Sequence, residues 1–330
     1  MKSKRIFYPV LILLMVLMIP LLGLLPNNSE EAQQGAEVVA AQSEMSTKTF
    51  NLLDYKTGQI SEISLRDYLI GVVAAEMPVS FETEALKAQT VASHTYALHQ
   101  VQQQSKSEPS DLHEAVLTTD PSKCQAFSSD EECRAKFGSH YDEDMKKITD
   151  AVDAVLNIVM TYDNQPIVAA FHSMSSGMTE SAEDVWGGNV PYLQPVDSAG
   201  DLQQQNYEST VSIDYETTRE KLVENFPQIQ LSDNYDEWFI IQSRTPSDYV
   251  DQIQVGNITA TGTEIRSLFG LRSADFTVSR DETGFIFTTK GNGHGVGMSQ
   301  YGANAMAQQG HTYDQILLHY YQGVTLTELH

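Results

Sequence analysis

LRDYLIGVVAAEMPVSFETEALKAQTVASHTYALHQVQQQ, residues 65–104, reads as two consecutive helices. Ser64 and Asp67 are spaced as a variant of the capping box. The apolar run that follows predicts a helix that stops near Pro78, because the residue before a proline disfavours helical backbone. From 82 to 104, Ala85, Ala88, Ala92 and Tyr96 recur every three or four positions, which predicts a second helix with a small-residue face for close packing. The first helix therefore ends on a carboxylate, Glu76, followed at once by Met77 and Pro78.

Working outward, KTFNLLD and ISEISL flank Thr57 and Gly58 and predict a strand pair. Residues 26–48 are rich in Gln, Glu, Ala, Ser and Asn without apolar periodicity, and read as a flexible tether. Before them, IFYPVLILLMVLMIPLLGLL (6–25) is uncharged and long enough to span a bilayer as a helix. Lys2, Lys4 and Arg5 place its N-terminus in the cytoplasm. A cleaved signal peptide has a shorter apolar region with a small-residue site close behind, whereas PNNSEE follows here. The expected organisation is a cytoplasmic N-terminus (1–5), a transmembrane anchor (6–25), a linker (26–48) and an extracytoplasmic catalytic region (49–330).

Downstream, 105–139 is polar and irregular and holds both cysteines. An amphipathic helix is expected through Met145, Ile148, Val152, Val155 and Val159, then a hairpin about Asp163-Asn164, then a long polar loop over 172–188. A helix over 214–225, strands near 237–242 and 249–256, a short helix over 263–269 and strands flanking 281–284 follow. GNGHGVGMSQYGA (291–303) is expected to open a helix from 298 to about 309, ended by Gly310. Thr312 caps a last helix through 321. Mixed segments without a regular βαβ rhythm predict an α+β fold: helices and short antiparallel strands around a substrate groove, after one N-terminal transmembrane helix.

The chain has 20 basic and 44 acidic residues, a net charge of −24. Setting aside Lys2, Lys4 and Arg5 leaves 17 basic residues beyond the anchor, a net of −27. That balance disfavours nucleic acid, whose binding depends on Lys and Arg neutralising phosphates. A neutral or weakly charged ligand fits. Cys124 and Cys133 lie outside the membrane in this topology, where either one bridge or two free thiols is chemically allowed. His113 and His140 flank them, but no C-x-x-C or H-x-x-x-H spacing supports zinc.

Glu76 is the first candidate for chemistry. The negative end of its helix raises a carboxyl pKa, and apolar neighbours raise it further by desolvation. A carboxyl protonated near neutral pH is what a general acid requires. Lys87 and His94 share one face of the second helix and read as solvated charge. The loop FHSMSSGMTESAEDVWGG (171–188) offers His172, Ser173, Ser175, Ser176 and Thr179 as hydrogen-bonding groups, Glu180, Glu183 and Asp184 as carboxylates, and Trp186 as a flat apolar face. The four glycines at 291, 293, 295 and 297 surround His294 and precede Ser299, Gln300 and Tyr301. Such a run lets a ligand or another chain approach the backbone closely. As a phosphate cradle it fails, since neither the dinucleotide nor the Walker spacing fits. No G-x-S-x-G elbow is present. The residues favour carboxylate catalysis on a polar, extended, uncharged substrate outside the cell, and glycan fits that description.

YLIGVVAAEMP (68–78), EALKAQTVASHTYAL (84–98), CQAF (124–127), FHSMSSGMTESAEDVWGG (171–188), PYLQPV (191–196) and GNGHGVGMSQYGA (291–303) together resemble the stage II sporulation protein D family. The resemblance implies a lytic transglycosylase without a cofactor that cleaves peptide-stripped peptidoglycan strands during engulfment of the forespore. It implies as partners the amidase stage II sporulation protein P and the membrane protein stage II sporulation protein M. The family's catalytic acid carries over to Glu76. Lys87, Gln125, His172, Ser173, Ser176, Trp186, His294, Gln300 and Tyr301 are expected to line the groove. A hydrolase would instead need a second carboxylate, for which Glu180, Glu183 or Asp184 could serve. Three departures stand out. His94 replaces the arginine common in KAQAVAARTYA, and Ser176-Gly177 stands where a Gly-Gly pair is usual. LTTDPSKC also lacks the earlier cysteine that serves a zinc site in some members, so no metal is expected.

Overall fold

Ser64 closes a strand and opens a helix. Strand β1 (Thr49–Leu53) pairs antiparallel with β2 (Ile60–Ser64), and the Ser64 hydroxyl accepts the Asp67 N–H at 3.0 Å. The computed structural model describes residues 49–104, 112 and 115–329; the anchor and linker expected over 6–48 lie outside the described residues. Among the described residues, no helix is long and apolar enough to cross a membrane. Helix α1 (Leu65–Glu76) ends where Met77 turns extended ahead of Pro78, as the proline dictates. Helix α2 (Thr83–Gln104) follows.

The described part of the polar stretch 105–139, from 115 on, is more ordered than expected. Strand β3 (Leu117–Thr118) runs parallel to β1, and Asp130–Phe137 forms helix α3. That helix has no apolar stripe to reveal it. A reciprocal capping box between Ser129 and Glu132 starts it. Helix α4 (Tyr141–Asp153) is shorter than its apolar spacing suggested: Val155 falls past its end, and Val159 lies in β4 (Ile158–Tyr162). The turn to β5 (Gln165–Pro166) has Asp163 and Asn164 at φ 49° and 60°, the pair of left-handed residues of a type I′ hairpin.

Among the described residues, two large apolar cores and one small cluster of Leu98, Val159 and Leu329 form within 49–329. The first gathers Leu69, Val72 and Val73 of α1, Leu86, Val91 and Ala92 of α2, and Ile148 and Val152 of α4. Helices α8 (Gln300–Gln308) and α9 (Tyr313–Tyr320) from the far end of the chain complete it. The second lies within 208–290. Strand β7 (Glu208–Asp214), helix α6 (Tyr215–Asn225), strands β8 (Phe239–Arg244), β9 (Val250–Val255) and β10 (Ile258–Thr261), helix α7 (Gly262–Phe269) and strands β11 (Phe276–Arg280) and β12 (Gly284–Lys290) pack around Trp238, Phe269, Phe285 and Phe287. The orders are β11-β12-β7 and β10-β9-β8, both antiparallel. Strands β7 and β10 escape the sequence reading because their half-exposed alternation carries no long apolar run.

The glycine run ties these parts together. It opens no helix at 298: Met298–Ser299 form strand β13, parallel to β6 (Phe171–His172), and α8 begins only at Gln300. Gly293 has φ 120°, and a Cβ there would sit 2.7 Å from the His172 Cβ. At Gly297, with φ 75°, it would sit 2.0 Å from the Ala170 carbonyl oxygen. The close approach that Gly291, Gly293 and Gly297 permit is thus made by the chain's own 170–175 segment, while Gly295 lies against Tyr249.

Candidate active site

Glu76 sits half-buried at the C-terminal end of α1. Its Oε1 accepts the Ala126 N–H at 2.8 Å and its Oε2 accepts the Gln300 amide at 3.4 Å. Burial pushes its carboxyl above the ordinary glutamate value, and those two hydrogen bonds offset part of the rise. The same Gln300 amide lies 3.3 Å from Gln89 Oε1, and the Gln89 amide donates to Ser93 at 3.0 Å. Residues 76 and 300 therefore meet across more than two hundred positions of sequence. The arrangement can donate a proton and then hold the resulting carboxylate with two fixed donors.

The other expected groove residues divide into neighbours of this cluster and residues apart from it. Gln125 is buried, with its amide on the Tyr68 hydroxyl (3.3 Å) and the Ser93 carbonyl (3.1 Å), and so fixes the Ala126 N–H that holds Glu76. Tyr301 donates its N–H to the Ser173 carbonyl at 3.1 Å and packs edge-on against Phe81, ring centroids 4.9 Å apart. His172 adjoins through its register with Ser299. Its ring lies 5.6 Å from that of His294, which lies 5.4 Å from Trp186. Burial above all, then Arg266, pushes His294 down to about 4; burial, then His294 and Arg266, pushes His172 down to about 3. Both rings are neutral at physiological pH.

Lys87 and Ser176 lie elsewhere. Lys87 pairs with Glu84 at 2.7 Å, and Glu84 also accepts the Tyr313 N–H. Lys87 faces α9, while Gln89, two residues on and so across the helix, faces Gln300. The Ser176 backbone is held by the Tyr249 and Tyr207 hydroxyls. His94, read as a solvated charge beside Lys87, is fully buried; desolvation pushes it down to about 4 against the pull of the Ile158 and Leu156 carbonyls. Cys124 and Cys133 are free thiols. Among the described residues, no three His, Cys, Asp or Glu side chains gather to hold a metal ion; His113 lies outside the described residues.

Asp201 gave no sequence signal, yet it organises the site from behind. It is buried and accepts the Ser175 N–H and hydroxyl (2.9 and 2.6 Å), the Ser198 hydroxyl (2.9 Å) and the Ser299 hydroxyl (2.9 Å). Burial raises its pKa and these bonds oppose the rise. Ser299 caps α8, which carries Gln300 and Tyr301. Asp201→Ala removes an acceptor from three buried serines, of which Ser198 keeps the Tyr320 hydroxyl and Ser299 the Ser173 carbonyl; it is expected to cost about 2 kcal/mol, read as a lower urea midpoint at unchanged slope.

A family model described as stage II sporulation protein matches residues 54–162, the stretch that holds Glu76, Gln89 and Gln125. The chain is 39% identical over 295 residues to stage II sporulation protein D of Bacillus amyloliquefaciens, spanning 89% of this chain and 82% of that one. It is 36% identical over 343 residues to the protein of that name in Bacillus subtilis (strain 168), spanning 99% and 96%. To the amidase enhancer of the same organism it is 27% identical over 308 residues, 78% of this chain and 40% of that one. The 36% likeness covers 99% of the chain and so runs through both halves of the Glu76–Gln300 contact; the chain belongs to the stage II sporulation protein D family.

Proposed function

We propose that this sporulation protein is a lytic transglycosylase of peptidoglycan, with Glu76 as its single acid and base. The observation that carries the reading is the half-buried Glu76 carboxyl, raised by desolvation and steadied by Ala126 and Gln300. Protonated Glu76 donates to the glycosidic oxygen between N-acetylmuramic acid and N-acetylglucosamine as the bond from that oxygen to muramic C1 breaks. The carboxylate left behind then takes the proton of the muramic C6 hydroxyl, whose oxygen bonds to C1. The product is a 1,6-anhydro end, Glu76 is reprotonated and no water is consumed.

A hydrolase needs a second carboxylate about 5–9.5 Å from the first. Glu180 is fully buried and bound to the Thr245 hydroxyl at 2.6 Å. Glu183 and Asp184 are exposed in α5 (Ala182–Trp186), and Asp184 accepts the Ser181 hydroxyl. Thr245 and Ser181 thus hold Glu180 and Asp184, whereas Ala126 and Gln300 hold Glu76. The protein would act from the membrane anchor at 6–25, on strands stripped by stage II sporulation protein P and alongside stage II sporulation protein M. Likeness to a protein named amidase enhancer supports work beside an amidase. The test is digestion of purified peptide-free strands and mass analysis of the ends. Anhydro-muramic ends support the reading, reducing ends mark a hydrolase, and binding without cleavage marks a scaffold.

A further inference from the structure

Ser93, on α2, anchors both arms that hold Glu76. One arm runs from its hydroxyl, which accepts the Gln89 amide at 3.0 Å. Gln89 Oε1 takes the Gln300 amide at 3.3 Å, and the same amide reaches Glu76 Oε2 at 3.4 Å. The other arm runs from the Ser93 carbonyl, which accepts the Gln125 amide at 3.1 Å; the next residue, Ala126, gives its N–H to Glu76 Oε1 at 2.8 Å. The two arms close a ring between Ser93 and Glu76. Gln89 and Ser93 are fully buried, and Gln125 and Gln300 are 4% and 5% exposed. With little water to compete, such a chain of bonds acts as a unit.

The sense of each bond in the first arm follows from Glu76. A carboxylate only accepts, so Gln300 must turn its NH₂ towards it. That NH₂ is shared with Gln89, which must therefore present its Oε1 to Gln300 and its NH₂ to Ser93. Gln89 and Ser93 stand four residues apart, on one face of the helix, and the hydroxyl is the acceptor at the end of the arm. Both bonds made by Gln300 are long for an N–H to oxygen contact, so a small turn of either amide loses the one on Glu76. The Ser93 carbonyl can likewise only accept, and it settles which end of Gln125 faces it.

We propose that Ser93 is a positioning residue for the Glu76 chemistry: its hydroxyl fixes the sense of the Gln89–Gln300 arm, so that one turn of α2 sets both donors on the acid. The inference rests on the reading of Glu76 as acid and base. Without the hydroxyl, nothing holds the Gln89 NH₂ and the amide is free to turn over. Its NH₂ then meets that of Gln300, and Gln300 leaves Glu76. The carboxylate keeps one side-chain-independent donor, Ala126, and its proton is held more tightly.

The test is a carbon-13 carboxyl titration of Glu76 in the full chain, its signal assigned by its loss in Glu76→Gln. Ser93→Ala removes one buried oxygen and is expected to raise the Glu76 pKa by about one unit, the scale of losing one hydrogen bond to a charged group. The falling limb of strand cleavage should move up in pH by the same amount. Thr90→Val is the control. Thr90 also buries its hydroxyl on α2, where it donates to the Leu86 carbonyl at 2.9 Å and belongs to neither arm, so the pKa should stay where it is. A Ser93→Ala chain that is less stable yet titrates at the wild-type pKa makes the residue structural and overturns the inference, as does an equal shift in Thr90→Val. Because the titration needs no turnover, the two readings fail separately. A chain that cuts no strand but shows the Ser93→Ala shift keeps this inference and sinks the transglycosylase; cleavage with an unmoved pKa does the reverse.

Discussion

Glu76→Gln is expected to lower strand cleavage by about a thousandfold, within the 10²–10⁴ range for removing a general acid or base, while strand binding persists. The amide keeps the shape and still accepts the Ala126 N–H, so the thermal midpoint should move by only a few degrees. Its NH₂ meets the Gln300 amide nitrogen, which must turn over to restore a donor-acceptor pair. Since Glu76 must be protonated to act, activity should fall as pH rises through its raised pKa. Gln300→Leu removes one of the two bonds that stabilise the carboxylate, so the pKa rises further and the falling limb moves to higher pH. Full activity in Glu76→Gln would remove the residue from the mechanism.

Acidification should unfold the protein well above the pH at which most carboxylates titrate. His94, His172 and His294 are pushed down to about 4, about 3 and about 4, each first by burial, from an ordinary value of 6.5. A histidine whose folded pKa is depressed gives stability that is present above 6.5 and lost as pH falls, because the unfolded chain takes up the proton first. Glu180 has the opposite sign: raised from 4.5 to about 7, it makes the folded state hold the extra proton between those values. Between about pH 4.5 and 6.5, three histidine protons less one from Glu180 leave about two, or up to about 2.7 kcal/mol lost per pH unit. Other buried carboxyls with raised values, Asp201 and Asp275 among them, reduce that slope. Urea unfolding at half-unit pH steps measures it. His94→Leu should flatten the dependence by about one proton; a stability that does not fall from pH 6.5 to 4.5 contradicts the buried neutral histidines.

Elements governed by neighbours in sequence were readable before any coordinate. Ser64, Pro78, Thr312 and the Asp163-Asn164 turn act over three or four residues, and each works where it was read. Helix α3 is legible only through its capping box of Ser129 and Glu132, because it has no apolar periodicity. Helix α4 shows the reverse fault: Val155 and Val159 continue the spacing while the backbone has already left the helix. Burial of single polar groups was the least legible. His94 and Lys87 share a helix, yet one is in the core and the other in a half-buried ion pair.

For the candidate site, sequence alone determined that a carboxylate ends an apolar helix before a proline, and that a glycine-rich segment carries Gln300 and Tyr301. Those are local facts, set by helix capping and by backbone freedom. Only the tertiary structure decided that Gln300 reaches Glu76, that Gln125 works through the Ala126 N–H, and that Lys87 and Ser176 face other ways. It alone brought in Asp201, whose neighbours in sequence say nothing of it. Desolvation and hydrogen bonding depend on what packs against a group from distant parts of the chain, and that packing is fixed only when the two cores assemble.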